Sequence, residues 1–290
     1  MRASSLIGSK NRWLGRIGRQ GLLALGILLF LIPIAGCERN VLREFSKVDT
    51  DEALLFDARQ AINRGNYDLA IAKFDMISAA FAARRDVVVL RASAYAGRCG
   101  LDFLELVQAL GDLASQRLFV FFMSTYVEAE IEDIQACLDA EDLLKSLGPD
   151  AADREVDENL LMVFLSFVKI GRVLSFVADT NNDGTLDAGF DACDANDFPT
   201  QAVAEVGTGL ALVLTSLAAA GTNIAGSQLT LITDICDQID NINPAYNFCA
   251  ITDRDNLNAD HLRGIRTLVN ENQAIGVGSC NGDVLTCLCL

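Results

Sequence analysis

DEALLFDARQAINRGNYDLAIAKFDMI, residues 51–77, holds two helical periods separated by a single break. Leu54, Leu55, Ala58, Ala61 and Ile62 recur at the spacing that places side chains on one face of an α-helix, and Gly65-Asn66 interrupts them. Tyr67, Ala70, Ile71, Phe74 and Ile77 then resume the pattern. Two apolar-faced helices joined by so short a turn fold back on each other, each shielding the other's face from water. The stretch predicts an antiparallel helical hairpin.

Outward from the hairpin the period persists. Residues 101–113 (LDFLELVQALGDL) keep it, and Leu118 to Leu147 opens with a very apolar run (LFVFFM) and turns amphipathic before Gly148-Pro149. Glu158–Ala178 is apolar, interrupted by Lys169 and Arg172. Pro199–Ala220 is rich in Ala, Val and Leu, 224–239 is amphipathic, and a last helix is expected near Asp260–Ile275. With four prolines in 290 residues and almost no strand-like alternation, the fold class is all-α, one helical domain over 51–290. Val206–Thr233 is the one uncharged stretch considered as a membrane span. Thr208, Thr215, Ser216, Thr222, Asn223, Ser227 and Gln228 punctuate it, and its purely apolar part falls short of the ~20 residues a span needs. It reads as a buried core helix.

The run Gly65-Asn66-Tyr67-Asp68-Leu69-Ala70-Ile71-Ala72-Lys73-Phe74 resembles the turn and second helix of a tetratricopeptide repeat. In that motif glycine allows the turn, tyrosine packs across it, alanine lets the helices approach and the aromatic fills the seam to the next repeat. The resemblance implies helical hairpins over 51–118. A first repeat of about 34 residues would occupy 51–84, and a second would begin at Arg85 with Val88, Ala92 and Tyr95 in its first helix. The second helix of that second unit lacks the small-residue signature.

Upstream, a basic leader (Arg2, Lys10, Arg12, Arg16, no acid) precedes RQGLLALGILLFLIPIAGC, residues 19–37. A charged segment, an apolar segment and small residues before a cut describe an export signal. Ile34-Ala35-Gly36-Cys37 resembles the lipobox of bacterial lipoproteins. That resemblance implies a signal peptide over 1–36, a covalent lipid on Cys37 as the mature N-terminus, a tether over 37–50, and a place in the bacterial cell envelope, facing the periplasm or the exterior. Cleavage would remove five basic residues (Arg19 is the fifth), leaving 18 Lys and Arg against 39 Asp and Glu, a charge near −21. Such acidity argues against nucleic acid as a partner. Membrane attachment would be through lipid, not through charge.

Nine cysteines are present: Cys37, Cys99, Cys137, Cys193, Cys236, Cys249, Cys280, Cys287 and Cys289. Assigning Cys37 to lipid leaves an even number, suited to disulfides in an oxidising compartment. Cys236 and Cys249 bracket a turn-rich segment and form the most natural local pair.

One segment carries metal chemistry. Residues 179–187 read Asp-Thr-Asn-Asn-Asp-Gly-Thr-Leu-Asp, with oxygen side chains at positions 1, 3, 5 and 9 and glycine at 6. A hard cation needs several oxygens at once, and a sharp bend at the glycine turns alternate side chains inward. The segment resembles EF-hand, dockerin and thrombospondin type 3 loops. The ligands would be Asp179, Asn181, Asp183, Asp187 and the Thr185 carbonyl, around a structural calcium ion. Position 12 is Phe190 where an EF-hand carries glutamate. A helix beginning near Asp187 would let Asp191 supply the missing carboxylate across a calcium-type loop of 179–191.

Other catalytic equipment is thin. His261 is the only histidine, no Walker-type Gly-Lys-Ser/Thr run exists, and the one tryptophan, Trp13, lies in the leader. The expected function is non-enzymatic: a membrane-anchored scaffold that binds a protein or peptide. The alternative is a small-molecule or lipid carrier, such as an accessory lipoprotein of a solute transporter, with Phe119, Phe121, Phe122 and Met123 lining a pocket.

Overall fold

A computed structural model describes residues 49–111, 116–221 and 227–289. The expected signal peptide, Cys37 and all but the end of the tether lie outside the described residues. The hairpin is present. Helix α1 (Asp51–Ile62) buries Leu54, Leu55, Ala58 and Ala61. Gly65, at φ 71°, turns the chain, and the Asn66 side chain accepts the Leu69 N–H to cap α2 (Tyr67–Phe74). A one-turn helix α3 (Ala79–Ala82) follows. The Asp51 carboxylate accepts both the N–H and the hydroxyl of Ser78, closing the unit.

Helix α4 (Arg85–Cys99) begins one 34-residue interval after α1 and ends on Gly100 at φ 109°. It is a shared wall: Val87 and Ala94 pack with the hairpin, while Ala92, Ala96 and Cys99 belong to the main core. At Gly97 an added Cβ would stand 2.2 Å from Tyr67 Cε1, so the tyrosine ring rests where a side chain would otherwise be.

The main core is built by α5 (Phe103–Gly111), α6 (Leu118–Thr125), α7 (Ile131–Leu147), α8 (Val156–Ala178), α9 (Thr200–Ala219), α10 (Ser227–Ile242) and α11 (Ala259–Asn270), with three 3-10 turns at Ala151–Asp153, Pro244–Tyr246 and Arg254–Asn256. The protein is all-α; among the described residues the only β-type pairing is an isolated bridge, Glu271 with Cys280. Helix α8 is central, packed against α9, α6, α7 and α4 and buried on most sides. Among the described residues two helices, α8 and α9, are long and apolar enough to cross a membrane by length and composition. The sequence reading singled out only the second. Most of each lies inside the protein, as expected of core helices, and α8 also carries a charged residue in mid-core, described below. Phe119, Phe121, Phe122 and Met123 are packed core residues.

Four disulfides join Cys99 to Cys137, Cys193 to Cys289, Cys236 to Cys249 and Cys280 to Cys287. They use every cysteine among the described residues.

Two helices differ from expectation. The stretch Leu118–Leu147 breaks at Tyr126–Glu130, with Glu128 at φ 58°. Its first part must dive into the core, where Gly171 of α8 admits Tyr126 and the Phe122 carbonyl; its second part packs along α4 and α8, burying Ile134, Cys137, Ala140 and Leu144. Helix α11 stops at Asn270, short of Ile275, because the fully buried Glu271 carboxylate accepts the N–H groups of Gln273, Ala274, Ile275 and Gly276 and winds them into a tight turn.

Candidate functional site

The acidic loop begins where α8 ends. Asp179 is fully buried, and its two carboxylate oxygens accept the N–H groups of Asp183 (3.0 Å) and Gly184 (2.9 Å). Asn181 Oδ1 also accepts from the Asp183 N–H. Asp183 Oδ1 accepts the N–H and hydroxyl of Thr185, and Asp187 Oδ2 those of Thr180. Asn182 (φ 58°) and Gly184 (φ 77°) supply the left-handed backbone this winding requires. Hydrogen bonds from Thr185 hold the Asp183 carboxyl below its ordinary range.

Asp191 is not part of this arrangement. It accepts the Cys193 N–H, and its own N–H donates to Asp197 Oδ2, forming a separate turn. The helix expected near Asp187 does not form: α9 starts only at Thr200. Phe190 and Phe198, both buried with ring centroids 6.1 Å apart, pull the intervening chain onto the core and away from a helical path. Among the described residues no three Asp, Glu, His or Cys side chains gather closely enough to hold a metal between them.

A second polar centre lies inside the bundle. Lys169, in the middle of α8, has no exposed surface. Its Nζ donates to Glu141 Oε2 of α7 (2.5 Å), and to Glu205 Oε2 (3.2 Å) and Thr208 Oγ1 (3.3 Å) of α9. Lys145 donates to Glu141 Oε1 and to the Thr252 carbonyl, and Arg254 Nη1 stands 2.8 Å from Glu205 Oε1. Burial opposes charging both Lys169 and Glu141, but the facing charges outweigh it. They raise Lys169 above its ordinary value and lower Glu141 below its own.

Beside this cluster a cavity of about 180 Å³ opens between α7, α8 and α9. Ile134, Val173, Val177 and Ala202 form its walls with Pro199 and the polar Gln201, Ile131 and Phe176 project at its mouth, and Glu205 is the charged residue in its lining. The acidic loop joins the two helices, α8 and α9, that form most of it.

Sequence reasoning missed this centre. The available signals were Lys169 interrupting an apolar helix and Glu205 standing alone in an Ala/Val/Leu run, but their partners Glu141 and Arg254 lie far off in the chain. No known protein family matches this sequence, and no curated protein or solved structure is significantly similar to it.

Proposed function

We propose that the chain is a lipid-anchored protein of the bacterial cell envelope, held through Cys37, whose helical domain binds a protein or peptide partner and performs no catalysis. The four disulfides support an oxidising location, because thiols are kept reduced in the cytosol. The tetratricopeptide-like opening supports a role in binding, and the 34-residue interval between α1 and α4 is in keeping with it. The loop 179–187 would hold a structural calcium ion. Its donors are hard oxygens suited to that ion, with Asp179, Asn181, Asp183, Asp187 and the Thr185 carbonyl as ligands and water completing the shell.

The observation that carries the binding role is the outer face of α5. Phe103 is 52%, Leu104 70% and Val107 45% exposed, and the three share one side of the helix while Leu106 is buried beneath. Three large apolar side chains exposed on an acidic protein, with Phe103 resting edge-on against Phe164, support an interaction surface here. Replacing Leu104 with a photo-crosslinking residue in the full-length lipidated chain, in its native membrane, should yield one dominant adduct. Val107→Glu in that crosslinking chain should reduce the adduct at least tenfold without changing unfolding temperature. Crosslinking that is diffuse, or unaffected by Val107→Glu, would count against the reading.

A further inference from the structure

Tyr126 is only 7% exposed, yet its hydroxyl makes no hydrogen bond to any described residue and keeps an opening to solvent. A tyrosine hydroxyl so placed ordinarily finds a partner. The opening is a second cavity, of about 120 Å³, between the start of α5, the end of α6 and α8. Asp102, Glu105 and Arg172 line it together with Tyr126. The same three charges act on the phenol, so its hydroxyl end, and not only its ring, faces them. Burial holds that phenol well above its ordinary value, so it stays protonated. Arg172 is already matched elsewhere. Its Nε donates to the Cys99 carbonyl (3.0 Å) and its Nη1 to the Val127 carbonyl (3.3 Å), with Asp133 3.6 Å away. Asp102 spends one oxygen on the N–H groups of Leu104 and Glu105 and leaves the other open. The Glu105 carboxylate has no hydrogen bond or ion pair among the described residues.

We propose that this cavity receives the ammonium group of a lysine side chain carried by the partner docked on α5, its N–H groups meeting the Asp102 and Glu105 carboxylates and the Tyr126 hydroxyl oxygen. An ammonium brings three donors and no acceptor, and the cavity offers three oxygens with acceptor capacity to spare. An anion would meet two carboxylates, and a neutral hydroxyl would leave their charge uncompensated. The volume is several times the ~30 Å³ share of one water, room for the end of a lysine chain, and Leu106 supplies an apolar wall for its methylene stem. A formal charge of −16 over the chain favours the approach of a basic partner. Asp102, Phe103, Leu104, Glu105 and Val107 are all exposed on α5, so one partner segment can cover the apolar side chains and still reach the cavity. The proposal rests on the partner-binding reading of the α5 face and adds to it the chemistry of what binds there.

The test uses the full chain in phosphatidylcholine nanodiscs with its disulfides intact, and methyl NMR of Leu106 and Thr125, which line the cavity. n-Butylammonium should shift both signals saturably in the millimolar range. n-Butyltrimethylammonium, which keeps the charge but has no N–H, should bind at least tenfold more weakly. Glu105→Gln and Tyr126→Phe should each weaken n-butylammonium about fivefold. Neither side chain is hydrogen-bonded within the described protein, so both variants should unfold at the temperature of the unaltered chain. Unmoved signals, or equal affinity for the two amines, would overturn the ammonium site, and indifference to either substitution would overturn the contact assigned to that residue. In the chain that crosslinks from position 104, Glu105→Gln should also cut the adduct about fivefold. If n-butylammonium binds but the adduct is unchanged, the ligand is a free amine and the lysine source is overturned. A chain that gives no focused adduct yet binds n-butylammonium would overturn the docking reading, and the lysine source with it, while upholding the ammonium site.

Discussion

Lys169 illustrates how a single residue constrains this core. An ammonium removed from water costs several kcal/mol, and only close, well-directed anions offset it. Lys169 has two, Glu141 and Glu205, with the Thr208 hydroxyl. Lys169→Met should therefore destabilise the protein by about 3 kcal/mol at neutral pH, the lower end for breaking a buried pair, since Lys145 and Arg254 still face the two carboxylates. The pH dependence follows from the shifts. Glu141 is held below its ordinary 4.5, so its contribution is present above that pH and is lost as pH falls through the folded value. Lys169 is held above 10.5, so its contribution is complete below that pH and fades only at higher pH. The stability gap between the unaltered protein and Lys169→Met should thus narrow on acidification, as Glu141 protonates. Urea unfolding of both at pH 7 and pH 3 measures it; a gap independent of pH would mean the pair is not what holds Glu141 ionised.

At the scale of elements, the acidic loop and its neighbours separate what sequence can and cannot reveal. The loop's winding was legible because it depends on local chemistry: an Asx side chain caps the N–H two residues on, and Gly184 supplies the left-handed bend. The hairpin was legible for the same reason, its turn residues and period lying within one short stretch. The failures have mostly non-local causes. Near Asp187, Gly189 at φ 95° turns the chain off a helical path, and Phe190 and Phe198 finding the core holds it there. Nothing in Glu271 ends a helix by residue type; its buried carboxylate gathering four N–H groups does. The Glu141–Lys169–Glu205–Arg254 cluster joins four segments that only the tertiary fold brings together. For the loop itself, calcium at 10 mM against a dissociation constant of about 10⁻⁴–10⁻³ M should stabilise the protein by about 1–3 kcal/mol. Asp183→Asn, which keeps an acceptor for Thr185 but loses the charge, should remove most of that gain while leaving stability in chelator nearly unchanged. Thermal unfolding with calcium and with chelator decides it; identical midpoints would leave the segment as a polar turn.

Across the whole molecule, the disulfides both reinforce helices that already pack together and tie segments far apart in the chain. Cys99–Cys137 fixes α4, the wall shared with the hairpin, to α7. Cys193–Cys289 fastens the segment after the acidic loop to the C-terminal tail across 96 residues, whereas Cys280–Cys287 closes only seven. If the crosslinks act chiefly by restricting the unfolded chain, the cost of losing each rises with the loop it closes. That cost is about 4.7 kcal/mol for the long loop and about 2.4 kcal/mol for the short one. In a domain of this size those values correspond to falls in Tm of about 9–19 °C and about 5–10 °C. The double serine variants Cys193→Ser/Cys289→Ser and Cys280→Ser/Cys287→Ser, compared by calorimetry, should show that order. Equal falls would mean that the short crosslink acts through native packing around Cys287, which is itself buried, and that loop entropy is not the governing effect. Either way, a chain whose C-terminal tail is tied back across 96 residues by one crosslink should fold poorly under reducing conditions.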